Sequence, residues 1–332
     1  MRQGRKSIVR KVFFFEKKKQ KTFDFQANSQ KNTFLDLPAS AHHPPPMSLT
    51  FTTHDLTLHR IIEMEGPLLP VRQMLPSLTA EVLDENRPWL SPAAIDANDR
   101  AILCIQSYVI RTPHHTILVD SCVGNDKPRP TVAAWNNRQD DAYPRALAAA
   151  GLAFEDIDYV MCTHLHVDHV GWNTRLQNGQ WVPSFPNARY IFAAAEYAHW
   201  EQAHAAAPVP VFADSVLPIV HASRADLVQN DFTIGDHVRL LPTPGHTPGH
   251  VAIALGRNAD HAIVTGDMLH SPLQARYPEL SSVFDADRAA AATTRRAVLE
   301  RYCDTDTLCC FAHFPSPSAG RVRRWGNGFR AA

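Results

Sequence analysis

The sequence predicts an α/β protein on two observations. From Ser48 onward, apolar runs of strand length alternate with segments of helical composition, and the chain repeatedly ends a strand-like run in a histidine or an aspartate. A hydrophobic content of 45% over 332 residues is ample for a substantial core. No internal repeat of fixed period interrupts the pattern.

Taken in order, AILCIQSYVIR (residues 101–111) and HTILV (115–119) read as two strands of a hairpin, the first continuous enough to be buried. DSCVGNDKPRP then reads as a loop, and YPRALAAAGL (143–152) as a short helix closed by Gly151. FEDIDYVMCTHLH is a turn followed by a strand that runs into histidines. ARYIFA reads as a strand and AAEYAHWEQAHAA as a helix, and HVRLLPTPGHTPGH leads from a strand into a loop before the strand VAIALG. HAIVTGDML is a strand emptying into a loop, DADRAAAATTRRAVLERYC a helix, and LCCFAHF a last strand that ends at His313. Upstream, the apolar segment RIIEMEGPLLPVRQMLPSL has two readings, an arm over a pocket or homodimer contact, and a packing segment that closes the core.

Charge divides the chain at Pro46. Residues 1–46 hold ten Lys+Arg against three Asp+Glu, a balance of +7, and the remainder holds 23 against 30, a balance of −7. With KKKQK at residues 17–21 and HHPPP at 42–46, the leading segment lacks sustained periodicity and is expected to be a disordered basic extension. Met47 would serve as an initiator, so the folded domain is expected over residues 47–332. No run of eighteen apolar residues exists, and VFFF at 12–15 is too short for a signal-peptide core, which predicts a soluble, cytoplasmic protein without a membrane partner. Six cysteines without a CxxC pair are expected to be free thiols.

Four apolar runs terminate in metal-binding side chains: His164, His166, Asp168 and His169 after YVMCT, His246 after VRLLPTPG, Asp267 after AIVTG, and His313 after LCCFA. Loops leaving the strand ends along one sheet edge can converge, and seven such donors suffice for two metal sites. An extended backbone through Thr163 to His166 would point His164 and His166 to the same side, toward one ion. A helix starting near Val167 would turn Asp168 and His169 toward a second, with Gly171 allowing backbone close to the metals. Asp267, with two oxygens on a short stem, is suited to bridging both ions. Three imidazoles and a carboxylate packed without a cation would leave polar groups unpaired, which makes a purely structural reading of the first motif weak. His250 reads as a structural or supporting residue, His270 as a neighbour of Asp267 that no motif compels, and Asp120 as a carboxylate that would orient a ligand histidine.

HLHVDH with downstream GHTPGH, TGD and a terminal histidine resembles the metallo-β-lactamase superfamily of hydrolases, over roughly residues 50–320. The resemblance implies an αββα sandwich of two mixed sheets flanked by helices, with the site at one edge. It implies that His164, His166 and His246 bind one divalent cation, that Asp168, His169 and His313 bind another, and that Asp267 bridges them. The cations would be Zn, or else Mn, Fe or Co. A hydroxide shared by two such ions is a strong nucleophile at neutral pH, with Asp168 or a nearby phenol passing the proton to the leaving group. The absence of GxSxG argues against an acyl-enzyme. VTGDMLHSPLQ and FAHFPSPSAG most resemble the branch of quorum-quenching N-acyl-homoserine lactonases and methyl-parathion-hydrolase-like enzymes, which implies a lactone or carboxyl ester as the small-molecule substrate. A phosphotriester or thioester is the alternative within hydrolysis, and an iron-dependent redox enzyme the alternative outside it. The intact HLHVDH disfavours the latter, and the acidic body disfavours nucleic acid.

Overall fold

The computed structural model describes residues 50–332. The expected extension at residues 1–46 and its boundary at Met47 lie outside the described residues.

Among the described residues, sixteen strands appear in chain order: β1 (Thr50–Thr53), β2 (Leu56–Pro70), β3 (Arg100–Arg111), β4 (Thr116–Val119), β5 (Tyr159–Met161), the separate hairpin of β6 (Thr174–Gln177) and β7 (Gln180–Pro183), β8 (Arg189–Ala193), β9 (Ala225–Val228), β10 (Thr233–Ile234), β11 (Val238–Pro242), β12 (Val251–Leu255), β13 (Ala262–Val264), β14 (Leu308–Cys310), β15 (Ala319–Trp325) and β16 (Gly328–Ala331). One seven-stranded sheet runs β1-β2-β3-β4-β5-β8-β9 and the other β10-β11-β12-β13-β14-β15-β16. Both are mixed. The first is antiparallel as far as β4 and parallel from β4 to β9, while the second is antiparallel except between β13 and β14.

Alternation along the strands shows how the layers form. Tyr108, Ile110, Ile117, Val119, Met161 and Ile191 face Val238, Leu240, Val251, Ile253 and Val264 across the interior between the sheets. Their neighbours Val109, Leu118, Val160, Tyr190 and Phe192 point the other way and pack under helices. Those helices are α3 (Ala142–Ala149), α4 (Ala194–Ala206), α5 (Pro210–Ser215) and α6 (Leu217–His221), which contribute Tyr143, Leu147, Tyr197, Phe212 and Ile219. On the far side, Leu299 and Tyr302 of α8 (Arg288–Tyr302) cover Ala252, Ile263 and Cys309. A strand buried on both faces reads as a continuous apolar run, which is why β3 and β4 were legible as strands. The result is the αββα sandwich, helices outside two face-to-face sheets.

Three elements differ from the sequence reading. RIIEMEGPLLPVRQMLPSL does not precede the first sheet; its first half belongs to β2, which pairs with β3 along its length. Register shifts at Ile62/Met64 and Pro67/Leu69 break the two-residue period there and hid the strand. Its second half forms the one-turn helix α1 (Val71–Met74) and packs with Leu83 and Leu90 of α2 (Ala80–Leu90) and with Leu273, so this segment closes a core. The helix expected from Asp285 begins only at Arg288, with Asp287 capping it through Ala290 N at 3.0 Å. No helix starts at Val167: residues 167–169 form a turn, followed by a single 3₁₀ turn over Gly171–Asn173. The N–H groups that a helix would direct along its own axis are taken elsewhere, Gly171 N by Cys122 O and Trp172 N by Ser121 O, both at 2.7 Å.

All six cysteines are free, and among the described residues no helix is long and apolar enough to cross a membrane.

Candidate metal centre

The sandwich brings all seven sequence-selected side chains to one edge. His164 and His166 follow β5, Asp168 and His169 occupy the turn beyond, His246 lies between β11 and β12, Asp267 follows β13 and His313 follows β14. Donor atoms of His164, His166, His246 and Asp267 lie within 4.8 Å of one another, as do those of Asp168, His169 and His313. Nε2 of His164 and Nε2 of His246 lie 3.0 and 2.9 Å from Nδ1 of His166. A single ring proton cannot serve both contacts, so these nitrogens converge on a common point rather than pair with each other.

Asp267 stands between the groups. Its Oδ2 is 3.3 Å from Nε2 of His246 and 3.8 Å from Nε2 of His164, its Oδ1 is 3.1 Å from Nε2 of His169, and His313 Nε2 reaches both oxygens, at 3.0 Å from Oδ1 and 3.1 Å from Oδ2. Oδ1 is buried and yet accepts no hydrogen bond. A buried anionic oxygen left in that condition is costly, and two nitrogen-and-oxygen donor sets meeting at it fit a pair of divalent cations. Asp168 lies at the open side, 3.6 Å from His313 Nε2 and 3.8 Å from His169 Nε2, with its carboxylate partly exposed.

Electrostatics point the same way. Burial holds His164, His166 and His246 well below the ordinary histidine range, so each offers a neutral imidazole with a free lone pair. Burial also opposes a charge on His169, but Asp267, Asp120 and Asp168 outweigh it and hold that imidazole well above its usual range. Burial opposes ionisation of Asp267, and His169 and His313 reverse it, keeping the carboxyl well below the usual carboxylate range. The cluster therefore favours positive charge at its centre.

The other ring nitrogen of His169, His246 and His313 is held by protein. His169 Nδ1 donates to Asp120 Oδ2 at 2.9 Å, and the same carboxylate accepts from Thr163 N at 2.8 Å. His246 Nδ1 donates to Asp285 Oδ1 at 3.1 Å, with Arg295 and the Ser282 N–H on the other oxygen. His313 Nδ1 donates to the Cys104 carbonyl at 2.9 Å. Each bond fixes a tautomer and aims Nε2 inward. His250 accepts from Asp267 N at 2.9 Å through Nε2 and donates through Nδ1 to the Thr243 carbonyl at 3.1 Å. Its role is to position Asp267. His270 places Nε2 at 3.3 Å from Asp267 Oδ2 and leaves Nδ1 without a partner.

Sequence reasoning anticipated Asp120 but missed Asp285 and Glu196. Asp285 was read into the following helix. Glu196, buried in the first turn of α4, accepts from Leu165 N and Gly249 N, both at 3.1 Å, and from Trp200 Nε1 at 2.7 Å. It ties the HLHVDH loop to the GHTPGH loop. No local signal marked it, because both bonds join residues distant in sequence. The close approach expected at Gly171 exists, but against the backbone of Val123 rather than against the metal cluster.

An αββα sandwich that gathers five imidazoles and two carboxylates at its strand ends defines a class of folds built around a metal-binding edge. The sequence profile of the Metallo-beta-lactamase superfamily matches residues 105–313, more than half of the chain, and the protein belongs to that superfamily. It is similar to N-acyl homoserine lactonases from Bacillus sp (28% identity over 117 residues, 35% of this chain and 40% of the relative) and Bacillus cereus (27% over 165 residues, 46% and 58%). These alignments span less than two thirds of either relative. Among solved structures, it superposes on AidC, a dizinc quorum-quenching lactonase in complex with a product, N-hexnoyl-L-homoserine, with a TM-score of 0.71 at 20% identity over 86% of this chain and 96% of the other. The hydrolase AbOPH of the beta lactamase superfamily gives the same values. At such identities the likeness concerns the fold.

Proposed function

We propose that the protein is a dinuclear metal-dependent hydrolase whose substrate is a lactone. In this reading His164, His166 and His246 would hold one cation, Asp168, His169 and His313 would hold the other, and Asp267 would serve both. The observation that carries it is the placement of Asp267 between the donor groups, Oδ1 beside His169 and His313 and Oδ2 beside His246 and His313. The names of the relatives support a lactone over other carbonyl substrates.

Bound there, two divalent cations supply Lewis acidity toward a carbonyl oxygen and bring the pKa of water toward neutrality. The protein's share is orientation and proton movement. Asp120, Asp285 and the Cys104 carbonyl lock the ring tautomers, and His250 and Glu196 fix the loops that carry the donors. Water adds to the lactone carbonyl, the ring C–O bond breaks, and the partly exposed Asp168 carboxylate carries the proton to the departing alkoxide. No side-chain nucleophile is needed. The Cys104 thiol, adjacent to the site through its own carbonyl, is pushed up to about 12 by burial and stays protonated.

A hydrolysis screen of the metal-loaded protein across lactones, aryl esters, thioesters and phosphotriesters tests the proposal. A kcat/KM for lactones at least 100 times that for the other classes is expected, with loss of activity on exhaustive chelation and recovery on adding Zn or Mn. Undiminished activity after chelation would sink the metal reading. A hundredfold preference for phosphotriesters would replace the substrate, and iron content with every substrate intact would move the protein to redox chemistry.

Asp285→Ala tests the supporting carboxylate. Removing it frees His246 to rotate and leaves the Arg295 guanidinium buried without its acid. Affinity for a divalent cation is expected to fall about 10- to 100-fold in competition with a chromogenic chelator. An unchanged affinity would show that His246 needs no such support.

A further inference from the structure

We infer that Phe284, with Val283 beside it, is a specificity-determining residue that selects substrates carrying an apolar chain; this rests on the lactonase reading. Among the described residues, the large hydrophobic side chains left exposed are Trp89, Leu176, Leu227, Val283 and Phe284. Two of the five are consecutive, at 38% and 37% exposure, on the loop between α7 (Pro272–Arg276) and α8. The Phe284 ring centroid lies 5.6 Å from that of His270, whose Nε2 in turn lies 3.3 Å from Asp267 Oδ2. Phe284 thus stands one residue away from the proposed bridging carboxylate.

Its exposure is imposed by a pinned backbone. Val283 N donates to Met74 O at 2.9 Å, Phe284 N to Ser282 Oγ at 3.2 Å, and Ser282 N to Asp285 Oδ2 at 2.9 Å. Asp285 holds His246, and Ala286 N donates to His246 O at 3.0 Å. The loop that sets a donor histidine therefore also holds Phe284 toward solvent beside the reaction centre, with Val283 exposed next to it in the chain. Apolar surface kept in water costs free energy until something covers it. A lactone ring held at the cations, with its alkyl or acyl chain laid along Val283 and Phe284, would cover it. A polar or very short substituent would gain nothing there.

The test measures kcat/KM of the holoenzyme on N-acyl-homoserine lactones with acyl chains of four, six, eight and ten carbons. It compares wild type, Phe284→Ala, Val283→Ser and the control Leu227→Ala, whose exposed side chain lies on the edge strand β9. Wild type and the control are expected to favour longer chains. In Phe284→Ala the ten-carbon substrate should lose about tenfold more kcat/KM than the four-carbon one, chiefly through KM. Val283→Ser should show a smaller effect of the same sign, with metal content equal in all four proteins. If both variants keep the wild-type chain-length ratio, or lose activity equally on every chain, the inference fails while lactone opening stands. If the wild-type protein opens no lactone, the functional reading fails and this inference with it.

Discussion

Replacing Asp267 with asparagine is expected to lower hydrolysis at least about 10³-fold and to reduce bound metal from two ions per chain to one or fewer. The carboxylate is buried at the junction of the two donor groups, with histidines of both groups beside its oxygens. Asparagine keeps the shape but removes the charge and one of the two acceptor oxygens. Five imidazoles would remain, with Asp168 the one carboxylate, among the described residues, left beside their inward-facing nitrogens. The substitution should also show in the metal-free protein. Because the folded state holds Asp267 below the usual carboxylate range, its ionised form contributes stability that is present above the unfolded carboxyl pKa of about 4. That contribution is lost only as pH falls through the depressed folded value. The asparagine protein lacks it throughout. Metal analysis, initial rates and thermal unfolding of the chelated protein across pH check the three consequences. Two retained ions with more than a tenth of wild-type activity would remove Asp267 from the bridging position.

The convergence of the seven candidate donors was legible because each follows an apolar run long enough to be a strand, and a strand end is fixed in space by its neighbours in the sheet. The residues that hold those donors were legible only in part. Asp120 ends the run TILVD and so shared the same signal. Asp285 precedes an alanine-rich helix and was absorbed into it, although the helix starts at Arg288 and leaves Asp285 free to reach His246. Glu196 lies within helical composition, and nothing local shows that its carboxylate faces two loop N–H groups. β2 was hidden by its irregular register against β3, since a period of two cannot survive two shifts. The misplaced helix at Val167 has the same origin. Local pattern reports what a segment would do alone, while Gly171 and Trp172 bond to carbonyls some fifty residues upstream.

That cross-loop contact yields the second large effect, expected from Gly171→Ala. An alanine Cβ there would lie 1.8 Å from the Val123 carbonyl oxygen and 1.9 Å from its carbon, both backbone atoms. No rotamer relieves a clash with a main chain, so one loop must move by more than 1 Å. Neither loop is free to do so. Residues 120–124 are held by Ser121 N to His169 O at 2.7 Å, by the two bonds from Gly171 and Trp172, and by Glu63, whose buried carboxylate accepts from Val123 N at 2.8 Å and Trp172 Nε1 at 2.7 Å. Displacing them drags Asp120 off His169 and shifts Asp168. The stability loss is expected at about 3 kcal/mol or more by denaturant unfolding, at the upper end of what overpacking costs because neither backbone can yield. Where enough folded protein remains, the rate should fall about 100-fold from misplacement alone, with the ion at Asp168, His169 and His313 released first. Gly179→Ala, in the β6–β7 turn, is the control: its Cβ meets nothing within 4 Å, so any cost comes from its positive φ and should be confined to about 1 kcal/mol with the metal content unchanged. Wild-type stability and full metal content in Gly171→Ala would show that the two loops are not in backbone contact, and the rigidity assigned to the second donor group would have to come from elsewhere.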